Sequence, residues 1–178
     1  FTPALTAGFT TPDVEWGQWT QEERDARAVE LLAEAGYGPE NPLETSLLYN
    51  TDEAHRKVAI AVSSMWQEKL GVTATLENQE WTTFLTTRSE GDFDIARGAW
   101  CGDYNEASTF LDLMQSDSGY NDAAYASEEY DRLAAEAQTE LDPGAQYTAM
   151  EELIAADMPN APVYHYTEVI MLKPDVKG

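Results

Sequence analysis

Residues 93–106 read Phe93-Asp94-Ile95-Ala96-Arg97-Gly98-Ala99-Trp100-Cys101-Gly102-Asp103-Tyr104-Asn105-Glu106, and the rest of the chain is organised around them. The first half, 93–100, is dominated by apolar residues and holds no proline, which predicts a buried strand. The second half turns polar at once, with Trp100, Cys101 and Gly102 leading into Asp103, Tyr104, Asn105 and Glu106. In open α/β sheets ligands bind just beyond the carboxyl ends of the strands, where a crevice is left and loops carry polar groups. Arg97 is a permanent cation within the apolar half, and a buried guanidinium requires a carboxylate from the protein or from a ligand. One side chain that asks for an anion, and a nearby aspartate able to hold a cation, suggest a zwitterionic ligand.

Outward from this stretch the pattern is strand, helix, strand. Residues 43–49 read as a strand, and Asn50 is expected to cap a helix with Glu53 at its third position, running to about Leu70 before Gly71. Val58, Ala61, Val62, Met65 and Trp66 recur at helical spacing and are expected to face a sheet. Residues 72–78 alternate as a second strand, giving a right-handed parallel unit, and 81–90 form a shorter helix. Upstream, Thr20-Gln21-Glu22-Glu23 is a capping box for a helix that reaches Ala35 and stops at Gly36, with Ala28, Leu31, Leu32 and Ala35 as its inner stripe. Residues 1–19 lack periodicity and are punctuated by Pro3, Gly8, Pro12 and Gly17, so they are a loop. Downstream, 109–114 look helical, 115–121 are loop, Ser127 caps a helix through 138, and Asp142-Pro143 opens another that ends before Pro159. Strands are expected over 161–166 and 169–172. With no repeat or linker, the expectation is one α/β domain over 1–178, a mixed sheet flanked by helices.

The chain has 178 residues, 43% of them hydrophobic and 11% aromatic, enough for one domain with a core and against disorder. No apolar run approaches a membrane span, so direct insertion is not expected. The formal net charge of −23 repels phosphates and anionic headgroups, which argues against nucleic acid as a partner; the acidic residues read as a solvated face. With only 10 Lys and Arg, Arg88 and Arg97 become informative. A single cysteine allows no internal disulfide and leaves a partner elsewhere, a free thiol or a small buried hydrophobe. The chain opens at Phe1-Thr2-Pro3 without a signal-like segment, so the expectation is an excised piece of a longer protein. No Gly-rich phosphate loop, HExxH or zinc-type Cys pair occurs, and Asp92 and Asp94 lack the rest of a calcium loop, so no cofactor or metal is expected. Asp103 with Glu106 could form a carboxylate pair of the kind glycosidases use, but paired acids occur everywhere in a chain this acidic, and nothing in the spacing supports Cys101 with His55 or His165 as nucleophile and base.

Trp100-Cys101-Gly102-Asp103-Tyr104-Asn105-Glu106 closely resembles the Trp-Cys-x-Asp-Tyr-Asn-Glu segment of the periplasmic oligopeptide-binding proteins, the extracytoplasmic receptors of ABC peptide importers. The likeness continues in order through 31–37, 47–51, 78–81 with 83–85, 93–97 and 162–164. It implies a class II periplasmic-binding-protein fold with two lobes, of which these residues resemble most of one. It also implies an extracytoplasmic or periplasmic setting, an oligopeptide ligand, and a membrane-embedded ABC permease as partner of the full-length receptor.

By resemblance Asp103 grips the ligand's amino terminus, where a carboxylate pairs with an ammonium; its local alternative is a turn aspartate bonding its own backbone. Arg97 and Arg88 resemble the segments that accept carboxyl termini; Arg97 has as its alternative an ion pair with Asp94 or Glu106, and Arg88 a solvated surface position. His55 matches a position that meets longer peptides. Ser89 stands where better-known relatives carry a histidine. Trp81 and Trp100 resemble pocket walls, and backbone groups near Ala99 and Cys101 are placed to pair with an extended peptide. The resemblance implies a disulfide from Cys101 to a cysteine upstream of this chain. Other solutes carried by the superfamily (dipeptides, sugars, nickel complexes, haem) are the alternatives within the same class. Tyr164 and Tyr166, flanking His165, read as strand packing.

Overall fold

β1 (Glu44–Asn50) is the middle strand of a three-stranded sheet ordered β2-β1-β3. The computed structural model describes residues 1–167, 171 and 173. β2 (Thr73–Gln79) lies parallel to β1 along its whole length, from Glu44 opposite Thr73 to Asn50 opposite Gln79. β3 (Ile95–Ala96) lies parallel on the other side, with Leu47 opposite Ile95 and Leu48 opposite Ala96. Parallel neighbours need crossover connections. Here α2 (Glu53–Leu70) leads from β1 to β2, and α3 (Trp81–Ser89) leads from β2 to β3 on the far side of β1. The strand order therefore reverses at β1, and the carboxyl ends of β1 and β3 flank a topological switch point, the place where such sheets leave a crevice.

Local chemistry sets the element ends. The Thr20 hydroxyl accepts from the Glu23 amide while the Glu23 carboxylate accepts from the Thr20 amide at 2.7 Å, closing the capping box of α1 (Gln21–Glu34). Gly71 closes α2 at φ +68°, a conformation that a side chain would strain. The cap of α2 is Asp52, not Asn50. Its carboxylate accepts from the amides of Ala54 at 2.8 Å and His55 at 3.0 Å, and its charge suits the helix N-terminus. Asn50 stays in the sheet as the last, buried residue of β1.

The inner stripe of α2 is also displaced. Small Ala59 is buried at the closest approach to Leu47 and Tyr49, with Val62 and Leu76 packed around them, while Ala61 and Met65 face outward. α1 leans on α2 along a narrow edge, with Lys69 Nζ 3.9 Å from Asp25, so Ala28 and Leu32 are half-buried whereas Leu31 and Ala35 are exposed.

A second, larger cluster of buried residues lies among the helices. α4 (Ser108–Leu111) runs into a 3-10 turn over Asp112–Met114 and packs with α5 (Glu128–Ala137) and α6 (Gly144–Asp157) around Leu111, Tyr130, Met150 and Ile154. The Tyr130 hydroxyl donates to the Leu111 carbonyl at 2.8 Å inside this cluster. Residues 1–12 lie over the helices, where the buried Glu151 carboxylate accepts from the Phe1 nitrogen at 2.9 Å and from the Thr2 amide. α6 begins at Gly144 after Pro143 with no side-chain cap, so Asp142 does not cap it.

The strand expected over 93–100 shrinks to Ile95–Ala96, with Ile95 exposed and the Arg97 amide adding one more bond to the Leu48 carbonyl at 2.8 Å. Trp100 packs against the helical cluster, which draws 98–100 away from the sheet. Residues 161–166 form no strand, since no strand among the described residues pairs with them, and the expected strand at 169–172 falls largely outside the described residues. Among the described residues the sheet is wholly parallel, so the mixed sheet is corrected to a parallel one flanked by helices.

Candidate ligand-binding site

The carboxyl ends of β1 and β3 bring Asn50 and Arg97 together, with Asp52 and His55 following directly from β1. Arg97 Nη2 donates to the Tyr166 hydroxyl at 2.9 Å and Nη1 to Asn50 Oδ1 at 3.4 Å. No carboxylate among the described residues lies within salt-bridge distance of it. Both candidate internal partners are engaged elsewhere. Asp94 accepts from the Ser46 amide at 2.8 Å and hydroxyl at 2.9 Å, bonds that hold its carboxyl below the usual range. Glu106 accepts from the Ser108 amide at 3.0 Å and from the Ser108 hydroxyl. Among the described residues Arg97 is thus held in place by neutral acceptors, with Asp52 the nearby acid whose pKa its charge helps to lower.

Asn50, expected as a helix cap, and Tyr166, expected in strand packing, instead hold the Arg97 guanidinium. The Tyr166 oxygen also accepts from Tyr164 at 3.0 Å, and this bond, with Arg97 alongside, lowers the pKa of Tyr166. Among the described residues His55 has a buried Nδ1 with no hydrogen-bond partner, 3.9 Å from Asp52, and Gln79 at the end of β2 likewise buries an unpaired Oε1. Unpaired buried polar atoms are costly, about 1–3 kcal/mol each. Two of them lie where β1 and β2 end.

The stretch after β3 is unpaired backbone. Among the described residues the amides and carbonyls of 98–102 make no hydrogen bond, and Ala99 and Cys101 are exposed. The Cys101 thiol is free and exposed, not a buried hydrophobe. At the end of this stretch the Asp103 amide donates to Thr109 Oγ1 at 2.9 Å, while the Asp103 carboxylate points out with no hydrogen-bond partner among the described residues. The backbone-bonding turn considered for Asp103 is made instead by Glu106. Asn105 Oδ1 accepts from the Ala7 amide at 3.1 Å and helps to fix the loop. A cavity of ≈ 460 Å³ opens beside it, between Leu5 and Tyr104.

Arg88 is not a solvated surface residue. It forms an ion pair with Asp122, and its guanidinium stands 5.5 Å from the centre of the Phe84 ring. Trp81, half exposed, stacks on the same Phe84 at 5.9 Å. Trp100 meets Tyr120 at 5.0 Å and buries an indole nitrogen that has no partner among the described residues. Trp81, Phe84, Arg88 and Asp122 thus form one contact group and Trp100 with Tyr120 another, while Arg97 lies with Asn50 at the sheet end. Among the described residues no three His, Cys, Asp or Glu side chains gather as a metal site, and no helix is long and apolar enough to cross a membrane.

Comparison with known proteins gives this arrangement a family. The profile described as bacterial extracellular solute-binding proteins, family 5 Middle, matches residues 2–122. The chain belongs to that family. Across its full length it is 47% identical to the periplasmic murein peptide-binding protein MppA of Escherichia coli, covering 34% of that protein. It is 45% identical to the periplasmic oligopeptide-binding protein OppA of Salmonella typhimurium, again over its full length and 33% of the relative. The crystal structure of Haemophilus influenzae OppA in complex with RPPGFSPFR superposes with a TM-score of 0.88 at 38% identity, over 93% of this chain and 34% of that one. The chain spans about a third of the length of the curated relatives it matches.

Proposed function

We propose that this chain is one α/β lobe of an extracytoplasmic receptor that binds oligopeptides and delivers them to a membrane-embedded ABC importer. Binding, not catalysis, is its role. Asp103 receives the peptide ammonium in a charge-assisted hydrogen bond. The open backbone of 98–102, including Ala99 and Cys101, pairs with the extended peptide, a mode that gives affinity without demanding particular side chains. Trp81 and Trp100 are the walls, and Arg97 beside His55 receives a carboxylate. Closure of a second lobe over these groups excludes water and strengthens each ionic contact. The exposed Cys101 thiol is open to the disulfide implied by the family likeness.

The observation that carries this reading is the pairing of a fixed backbone with an uncommitted carboxylate at Asp103, directly after unpaired backbone. The peptide-binding names of the relatives support it. Calorimetric titration of tri- to pentapeptides into the full-length receptor tests it, beside Asp103→Ala and amino-acetylated peptides. Affinity at the micromolar level or better should fall by about 2–5 kcal/mol when either charge is removed. Equal binding of acetylated peptides would remove the ammonium contact from the account. The isolated lobe, lacking half of the pocket, is expected to bind at about millimolar Kd or weaker.

A further inference from the structure

One of the two arginines at the site already holds a carboxylate of the protein itself. Asp122 and Arg88 are paired with side chains only 22% and 21% exposed, so most of each charge is shielded from solvent. Their geometry is supported on several sides. The guanidinium rests over Phe84, and a Cβ added at Gly98 would stand 4.0 Å from Arg88 Nη2, which puts the pair beside the unpaired backbone stretch. Asp122 sits two residues beyond Tyr120, whose ring packs on Trp100. Between them Asn121 locks the loop: its amide donates to the Gln115 and Tyr125 carbonyls at 3.1 and 2.7 Å, and its Oδ1 accepts from the Tyr125 amide at 3.1 Å. Among the described residues Arg97, in contrast, donates to neutral acceptors.

We propose that Asp122 is a specificity-determining residue whose carboxylate occupies the position on Arg88 that a ligand carboxylate would take. The inference rests on the peptide-receptor reading above. A ligand carboxylate arriving at Arg88 meets a pair with no net charge, or displaces Asp122 and leaves a partly buried anion unpaired; both outcomes are unfavourable. A peptide that continues past this point, or ends in an amide, meets neither difficulty. Asp122 therefore directs terminal carboxylates to Arg97 and biases the site against ligands that end at Arg88.

The test uses the full-length receptor, wild type and Asp122→Asn, titrated with tri-, tetra- and pentaalanine as free acids and as carboxyl-terminal amides. Asp122→Asn should raise free-acid affinity by about tenfold at one peptide length while amide affinity stays within about twofold, and adding Arg88→Gln should abolish the gain. Equal changes for acid and amide, a gain that survives Arg88→Gln, or an unchanged acid-to-amide ratio at every length overturns the inference and makes Asp122 a structural brace. Melting temperatures identify any variant that fails to fold; for such a variant Asp122→Ser is titrated in the same way and judged by the same ratio. If no peptide binds either protein, the receptor reading itself fails and takes this inference with it.

Discussion

The amide of Asp103 donates to the hydroxyl of Thr109 at 2.9 Å, linking the loop with the uncommitted carboxylate to a buried side chain of α4. Thr109→Val keeps the shape and removes the acceptor. Stability should fall by about 1 kcal/mol, and peptide affinity of the full receptor by about fivefold, while Thr109→Ser retains both. Titration and thermal melts check this; unchanged affinity in the valine variant would mean that Asp103 is oriented by other contacts.

Gly102 makes a related prediction through space alone. A Cβ there would lie 2.9 Å from Phe110 Cζ and 3.0 Å from Thr109 Cγ2, and Gly102 does not have a positive φ. Gly102→Ala should force the loop off α4 at a cost of about 1–3 kcal/mol and weaken peptide binding. A variant as stable and as tight-binding as wild type would show that the Phe110 ring yields freely.

Burial, and after it the negative charges of Glu151 and Asp112, raise the pKa of the Tyr130 phenol well above its ordinary value. Because the folded pKa is raised, the corresponding stability is present below the unfolded value of about 10 and is lost as pH rises beyond it. Tyr130→Phe leaves the Leu111 carbonyl without its partner, should cost about 1–3 kcal/mol, and should flatten this alkaline decline. Melts across that pH range decide the matter; a decline of the same slope in the variant would exclude Tyr130 as its source.

Asp94 titrates in the opposite sense. The Ser46 amide and hydroxyl, then the Thr45 hydroxyl, lower its pKa, so the stability it contributes is present above the ordinary carboxylate pKa and is lost as pH falls through the lowered value. Since these bonds hold the beginning of β3 against β1, acidification from about pH 5 to about pH 2 should loosen this strand. Hydrogen exchange at Arg97, whose amide bonds Leu48, reports it. Asp94→Asn should reduce the pH dependence of that exchange; an unaltered profile would assign the acid sensitivity to the caps at Asp52 and Glu23, whose pKa values are also lowered by hydrogen bonds.

What was legible in the sequence was local. The Thr20 capping box, the glycine after α2 and the alternation of β2 each state their structure within a few residues, and all appear. The conformation expected over 93–100 is not the one that forms, because apolar composition cannot reveal that Trp100 packs against the helical cluster while Ile95 stays at the sheet. For Arg97 the sequence offered acids close by, Asp94 and Glu106, yet nearer serine donors satisfy both. The actual neighbours, Asn50 and Tyr166, are 47 and 69 residues away. Asp122, 34 residues from Arg88, was hidden for the same reason: a long separation leaves no periodic trace.

The two buried clusters have a dynamic consequence. One is built on β1 and α2, the other on α4, α5 and α6, and 98–102 pass from the first to the second over backbone that makes no hydrogen bond among the described residues. Such a chain should open as two cooperative units with a fast-exchanging seam between them. A peptide laid along that seam would act as a staple, slowing exchange in both units at once, so that ligand occupancy would register as mechanical coupling across the lobe.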